Sequence, residues 1–185
     1  MALTGGSTTA YIDGPLRKNV QNSGYFTFPV GDDGRYGPVY ISGVSSTGDQ
    51  YWIGQYFNVP PADQLNVTPP LKVVSNNEYW EVTGVALTSA NIRIRWDANS
   101  QLVPADALGR QKLRIAEYQP PWTIVGSTIV DGGQTSGTVG TSTRVSSSGA
   151  AKQFTLGLEQ TASAQITGAD GGMCDDDTTL PVTFV

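Results

Sequence analysis

Short stretches of this chain alternate apolar and polar residues, with turn-forming residues between them. The clearest stretch, residues 91–97, is Asn-Ile-Arg-Ile-Arg-Trp-Asp. Its apolar side chains, Ile92, Ile94 and Trp96, fall on one face of a strand, and its charged side chains fall on the other. One apolar face and one charged face predict a strand of an antiparallel sheet that has a solvated side.

The same kind of pattern predicts further strands along most of the chain. They cover residues 25–30, 38–44, 50–58, 71–74, 78–85, 112–118, 122–130 and 152–158. Asp33-Gly34 is a strong hairpin-turn signal. Residues 131–151 are mostly Gly, Ser and Thr and fit either thin strands or a loose hairpin, and 105–110 fits a single helical turn. Together these elements predict an all-β fold, an antiparallel β-sandwich of the immunoglobulin-like or jelly-roll-like kind.

Composition and charge narrow the classes of function. Of the 185 residues, 38% are apolar and 15% are charged, and the 22 glycines and 11 prolines favour turns over helices. The net charge of -5 and the pI of about 4.5 give a surface that repels phosphate backbones, so we expect no nucleic-acid partner. No apolar run approaches the roughly 20 residues that span a bilayer, so we expect no membrane insertion.

The sequence contains no histidine, which removes several kinds of catalytic site. Ser-His and Cys-His nucleophile pairs, imidazole zinc sites and the commonest general base all need that side chain. Glu78 and Glu81 bracket two aromatic residues, but positions i and i+3 of a strand face opposite sides, so this pair cannot serve one glycosidase cleft. We therefore predict a protein that is not an enzyme.

A set of short phrases occurs in a fixed order along the chain. They are Tyr11–Lys18, Phe26–Gly31, Gly34–Pro38, Glu78–Trp80, Ile92–Asp97, Leu113–Ala116 and Phe154–Gly157. The ordered set resembles a β-rich module of very large surface proteins that gliding and related bacteria export by the type IX secretion route. The resemblance spans roughly residues 3–158 and implies a secreted or cell-surface location.

The resemblance also implies how the chain is divided. In such proteins the module follows a β-solenoid and precedes a fibronectin-like domain, so residues 3–15 resemble the tail of a solenoid and Leu180–Val185 the start of the next domain. We accordingly expect an N-terminal β remnant over 1–18 that packs on the sandwich, the sandwich over 19–160, and a polar linker with a final strand over 161–185. The start of the chain lacks the basic and apolar regions of a signal peptide, which fits either a cytoplasmic protein or a piece of a larger protein, and we favour the second. The family implies no catalytic residues, and neighbouring domains of the same protein are the expected partners.

Trp52, Tyr56 and Trp122 are the candidate ligand-binding residues. Aromatic rings on an open sheet surface can stack on sugar rings, which gives a carbohydrate-binding module as an alternative function with surface glycans as partners. A sandwich of this size also fills its core with aromatic side chains. If the three rings are buried, the hypothesis that they bind carbohydrate is wrong. Trp80 and Trp96 are assigned to the core, because they share a face with other apolar residues.

A structural calcium ion is the one candidate cofactor. The acids that could bind it are Asp32, Asp33, Asp49, Asp175, Asp176 and Asp177. Oxygen ligands on loops suit Ca²⁺, although no EF-hand loop is present and both Asp-Gly turns and runs of aspartate occur without metal.

The last residues, Leu180–Val185, have the pattern of a strand. A strand with a free edge seeks a partner, so it could close this sandwich or pair with a neighbouring molecule and build a filament by strand addition. The function predicted first is a structural or adhesive module of a secreted or cell-surface bacterial protein. Carbohydrate binding, with or without calcium, and filament assembly are the alternatives.

Overall fold

A computed structural model of the chain describes residues 5–21, 23–45, 48, 50–104, 106–126 and 128–160. Its first elements are β1 (Ile12–Asp13), β2 (Leu16–Val20), β3 (Phe26–Phe28), β4 (Val30–Asp32), β5 (Arg35–Tyr36), β6 (Val39–Ser45), β7 (Gln50–Phe57) and β8 (Leu71–Val74). They continue with β9 (Tyr79–Gly84), β10 (Ser89–Asp97), α1 (Ala107–Arg110), β11 (Leu113–Tyr118), β12 (Trp122–Ile124), β13 (Thr128–Gly132), β14 (Ser136–Thr141), β15 (Val145–Ser146) and β16 (Lys152–Glu159). No helix within these ranges is long and apolar enough to cross a membrane.

Two large antiparallel sheets face each other and enclose the core. One has the strand order β13-β14-β10-β6-β3, with β15 also paired to β10, and the other has the order β12-β11-β16-β9-β7-β2, with β8 also paired to β16. The buried side chains of both sheets form one main apolar cluster, to which Phe28, Ile94 and Trp96 contribute from the first sheet and Trp80 and Phe154 from the second. The predicted all-β sandwich is confirmed.

Strand β10 lies inside the first sheet and has the alternation that its sequence predicts. Ile92, Ile94 and Trp96 are 1%, 0% and 1% exposed, whereas the residues between them are partly exposed. It pairs with β6 on one side and with β14 and β15 on the other. Its polar face therefore forms the middle of an uncovered sheet surface.

Single residues explain the turn between β4 and β5 and the division of the predicted strand 25–30. Asp33 and Gly34 have φ values of 47° and 76° and link β4 to β5, as the Asp-Gly signal predicts. The predicted strand 25–30 is divided at Pro29, which has no N–H to donate and whose carbonyl oxygen instead accepts from the Ile12 N–H at 2.8 Å. β4 thereby leaves the large sheet and joins a small one with β1 and β5.

Two predicted boundaries differ from the structure. The expected strand 122–130 is divided into β12 and β13, which belong to opposite sheets, and Gly126 between them has a φ of 57° that turns the chain from one layer to the other. The expected domain boundary at residue 18 falls inside β2, where Lys18 pairs with Trp52 of β7. β2 is therefore the edge strand of the second large sheet.

Other expectations are confirmed or remain untested. Residues 131–151 contain the end of β13 followed by β14 and β15, so the Gly/Ser/Thr-rich segment contributes strands to the first sheet, with turns between them. α1 is the single helical turn, and Asp106 caps it by accepting from the Gly109 N–H at 2.6 Å. The expected linker and final strand, including Leu180–Val185, lie outside the described residues, and strand addition stays a prediction.

Candidate binding face

The three aromatic side chains proposed to stack on sugars lie in the core. Trp52, Tyr56 and Trp122 are 2%, 1% and 0% exposed. The hydroxyl of Tyr56 donates to Glu78 Oε2 at 3.0 Å, and the indole N–H of Trp122 donates to the Ala62 carbonyl oxygen at 3.1 Å. Their ring faces are covered by protein and cannot contact a sugar, so this assignment of ligand-binding residues is wrong.

Glycines make the room that these large rings need. A Cβ at Gly37 would lie 2.3 Å from Tyr56 Cδ2, and one at Gly84 would lie 2.8 Å from the Trp52 ring. The rings pack directly on backbone at both places, which leaves them no freedom to swing outward. Trp80 and Trp96, assigned to the core from the sequence, are 0% and 1% exposed and confirm that assignment.

Only two of the six acids proposed as calcium ligands lie among the described residues. Asp32 Oδ2 accepts from the Asn58 N–H at 2.9 Å, and Asp33 occupies the exposed hairpin turn. Asp49 and the run Asp175–Asp177 lie outside the described residues. Within the described ranges no three His, Cys, Asp or Glu side chains come together as a metal site, and the calcium hypothesis stays a prediction.

One buried acid has an unusual environment that the sequence did not indicate. Glu78 is 1% exposed, and its Oε2 lies 2.9 Å from Arg35 Nη2 as well as 3.0 Å from the Tyr56 hydroxyl. Arg35 Nη2 also donates to Ser100 Oγ at 3.1 Å and lies 3.4 Å from Asp97 Oδ1. Burial raises the pKa of Glu78, and the Arg35 guanidinium opposes that rise.

This network ties three strands together. Through Arg35, Tyr56 and Asp97 it joins β5, β7 and β10, and both Arg35 and Tyr56 contact Oε2 of Glu78. The side chain of Glu81, the other acid of the sequence pair, accepts from Gln153 Nε2 at 3.1 Å. The two acids of the pair therefore have separate partners, as their spacing predicts.

The outer face of the β13-β14-β10-β6-β3 sheet carries the most prominent surface chemistry. Thr27, Tyr40, Arg93 and Gly140 pair in register across β3, β6, β10 and β14, and directly paired residues point to the same side. Tyr25, 64% exposed, lies two residues before Thr27, and its hydroxyl oxygen is 2.9 Å from Thr27 Oγ1. We call this row and its neighbours on the same sheet surface the open face.

Arginines and tyrosines lie close together on the open face. Arg95 Cζ is 5.6 Å from the ring centroid of Tyr36, which contacts this face from β5 of the small sheet, and Arg93 Nη1 pairs with Asp131 Oδ2 at 2.6 Å. Burial raises the pKa values of Tyr36 and Tyr40, with Arg95 acting in the opposite direction, so both hydroxyls keep their protons at neutral pH. They can donate hydrogen bonds to a ligand.

A hollow of about 330 Å³ lies beside α1, and a second hollow, of about 200 Å³, lies on the open face. Its lining consists of Ser42, Asn91, Ile92, Arg93, Gly140, Thr141 and Ser142. It lies where both neighbours of β10 carry extra residues. Ser42 to Ser45 of β6 oppose only Asn91 to Ser89 of β10, which is a β-bulge, and Gly43 within it has a φ of 58°.

The segment between β14 and β15, on the other side of β10, also leaves the sheet beside this hollow. Gly140 pairs with Arg93 and Val145 pairs with Ala90, so residues 141–144 make an excursion from the ladder. The Thr141 hydroxyl compensates by accepting from the Ile92 N–H at 3.1 Å. Bulges of this kind occur next to binding sites because they re-aim side chains and open space on a sheet.

The sequence indicated only one strand of this face. The alternation over 91–97 predicts that Arg93 and Arg95 lie on a solvated side. That Tyr40 and residues 141–144 lie beside β10 depends on strand pairings that no local pattern encodes. No protein-family model, curated protein or solved structure matches this chain.

Proposed function

We propose that this chain is a non-catalytic structural or adhesive module of a secreted or cell-surface bacterial protein. The observation that carries the proposal is the open face, where tyrosine, arginine, asparagine, serine and threonine side chains lie together on one side of a sheet and are at least partly exposed. Tyrosine and arginine are enriched at recognition surfaces because they combine contact area with directed hydrogen bonds.

Two further observations support the non-catalytic part. The full sequence has no histidine, and the buried acid Glu78 is engaged by Arg35 and Tyr56. The surface location is supported by the resemblance to modules of type IX-secreted proteins.

The test is protease treatment of intact cells of the source organism, followed by detection with antibodies raised against this module. A surface module loses its signal under external protease, while a cytoplasmic control protein keeps its own. A signal that disappears only after lysis would contradict the surface location. Cells whose module lacks the open-face side chains should also adhere less to their substratum than cells with the unchanged module.

A further inference from the structure

We propose that the open face binds a neutral polysaccharide, with one sugar unit in the hollow beside Arg93 and the neighbouring units on Tyr40 and Tyr25. This inference rests on the proposed adhesive function and names its ligand class. The residues that carry it lie on the outer side of the first sheet, whereas the aromatic side chains that the sequence suggested are buried in the core.

The charges of the open face are paired, which favours a ligand without charge. Arg93 Nη1 lies 2.6 Å from Asp131 Oδ2, and Arg95 Nη2 lies 3.6 Å from Asp97 Oδ2. Both arginines of β10 therefore have an acid beside them, and an acidic polymer would meet the two carboxylates as well as the two guanidinium groups. The net charge of -5 also repels an acidic polymer, but it does not repel a neutral one.

The hollow holds groups that suit the hydroxyls of a sugar. Among the described residues that line it, Arg93 alone is charged, and its pairing with Asp131 offsets that charge. Ser42 and Ser142 have hydroxyl groups that both donate and accept, and the Arg93 guanidinium carries five N–H donors. The volume of about 200 Å³ is below the range of roughly 300–1,000 Å³ of pockets for drug-sized molecules, so it fits a single small unit.

Tyrosines beside the hollow supply contact area for the next units of the chain. Tyr40 of β6 pairs directly with Arg93, and Thr27 of β3 pairs with Tyr40. The hydroxyl of Tyr25 lies 2.9 Å from Thr27 Oγ1, and this side chain is 64% exposed. A tyrosine ring packs its apolar body on the C–H groups of a sugar, and its hydroxyl hydrogen-bonds to a polar partner. A polymer that passes the hollow therefore meets ring surface and hydroxyl groups in turn.

The polar character of the open face favours a sugar over a protein partner. Protein interfaces place apolar side chains at their centre. The large apolar side chains of β10, Ile92, Ile94 and Trp96, are buried on the other side of this sheet. The row across the open face instead consists of threonine, tyrosine and arginine next to a glycine. Such a row matches a ligand whose own surface is rich in hydroxyl groups.

The test measures binding of the purified 185-residue protein to the neutral polymers dextran, laminarin, xylan and galactomannan, with polygalacturonate as the charged comparison. Affinity electrophoresis detects binding, and titration calorimetry gives its Kd. We expect binding to at least one neutral polymer, with a Kd that is the same at low and high salt because the ligand carries no charge to be screened. Tyr25→Ala and Arg93→Gln should each weaken it by about threefold to tenfold, the effect of one lost ring contact or hydrogen bond.

Tyr51→Ala and Arg17→Gln are the matched controls, because they make the same two changes on the opposite sheet. The Arg17 guanidinium there lies 3.8 Å from the ring centroid of Tyr51. Both controls should leave polysaccharide binding unchanged. Melting temperatures of all four variants exclude unfolding as the cause of a loss, and Tyr25→Ala should not change this temperature because its ring is exposed.

Three results would overturn the inference. They are no binding to any of the neutral polymers, binding that weakens with salt or is confined to polygalacturonate, and losses in Tyr51→Ala and Arg17→Gln equal to those in Tyr25→Ala and Arg93→Gln. Surface exposure in the protease experiment does not depend on these results. A surface module that binds no neutral polysaccharide would leave the proposed function standing and remove only the ligand.

Discussion

The tie between Arg35 and Glu78 gives the sharpest stability prediction. Replacing Arg35 by Met removes the guanidinium while keeping a side chain of similar length. The carboxylate of Glu78, 1% exposed, then keeps only the hydroxyl groups of Ser100 and Tyr56 as partners, with Tyr56 donating to Oε2 at 3.0 Å. Its Oε1 has no hydrogen-bond partner in the described part of the chain. Removing one partner of a buried ion pair costs about 3–5 kcal/mol. Because the Arg35 side chain is 14% exposed, we expect a loss near the lower end, about 3 kcal/mol at pH 7.

The loss should depend on pH in a defined direction. Burial raises the pKa of Glu78 in the folded protein, and removal of Arg35 takes away the main influence that opposes this rise. A folded-state pKa above the unfolded one means that the folded protein holds the proton more tightly, so stability is gained as the pH falls through the folded value. The gap between Arg35→Met and the unchanged protein should therefore be smaller at pH 5 than at pH 7.

The assay is unfolding in guanidinium chloride followed by tryptophan fluorescence, at both pH values. All four tryptophans are at most 2% exposed, so their emission shifts on unfolding. Glu78→Gln serves as the partner variant, and the double variant should lose less than the sum of the two single losses. A loss below about 1 kcal/mol at pH 7, or a loss that is the same at pH 5, would refute the reasoning.

Three further predictions concern packing and backbone geometry. Trp80→Phe should cost about 1–3 kcal/mol more than Trp52→Phe, because the Trp80 indole N–H donates to the Gly37 carbonyl oxygen at 2.8 Å whereas Trp52 Nε1 has no partner among the described residues. Equal losses in chemical unfolding would contradict this. Gly37→Ala should destabilise the protein by about 1–3 kcal/mol or more, since the new Cβ would overlap an aromatic ring at 2.3 Å, while Gly133→Ala, with no atom within 4 Å, should be nearly neutral. Gly34→Ala should lower stability by about 1–2 kcal/mol through its φ of 76° alone, and an unchanged melting temperature would speak against a strained turn.

The sequence predicts strands well here but not which face of each strand is buried. β7 carries aromatic residues on both faces, and the structure buries Trp52 and Tyr56 while Tyr51 lies under Arg17. For such a strand, the alternation does not tell which of the two faces is buried. What decides between them is the pair of glycines opposite the large rings, and these come from β9 and from the segment before β6.

The open face shows the same limit at the level of the site. The alternation along β10 predicts that Arg93 lies on a solvated surface. It does not predict that Tyr40 and Gly140 lie beside Arg93, because these residues belong to strands distant in sequence. The bulge at Gly43 and the excursion at 141–144 are visible only once the registers are known, since each is defined by unequal spacing against β10.

Successive strands repeatedly pass from one sheet of the sandwich to the other. β2 is followed by β3 in the opposite sheet, and the same change occurs from β6 to β7 and from β9 to β10. Neither sheet can therefore assemble from a continuous piece of chain, and loops must close before their contacts form. We expect folding on the millisecond-to-second scale typical of domains dominated by non-local pairing, and loss of both layers in a single cooperative step.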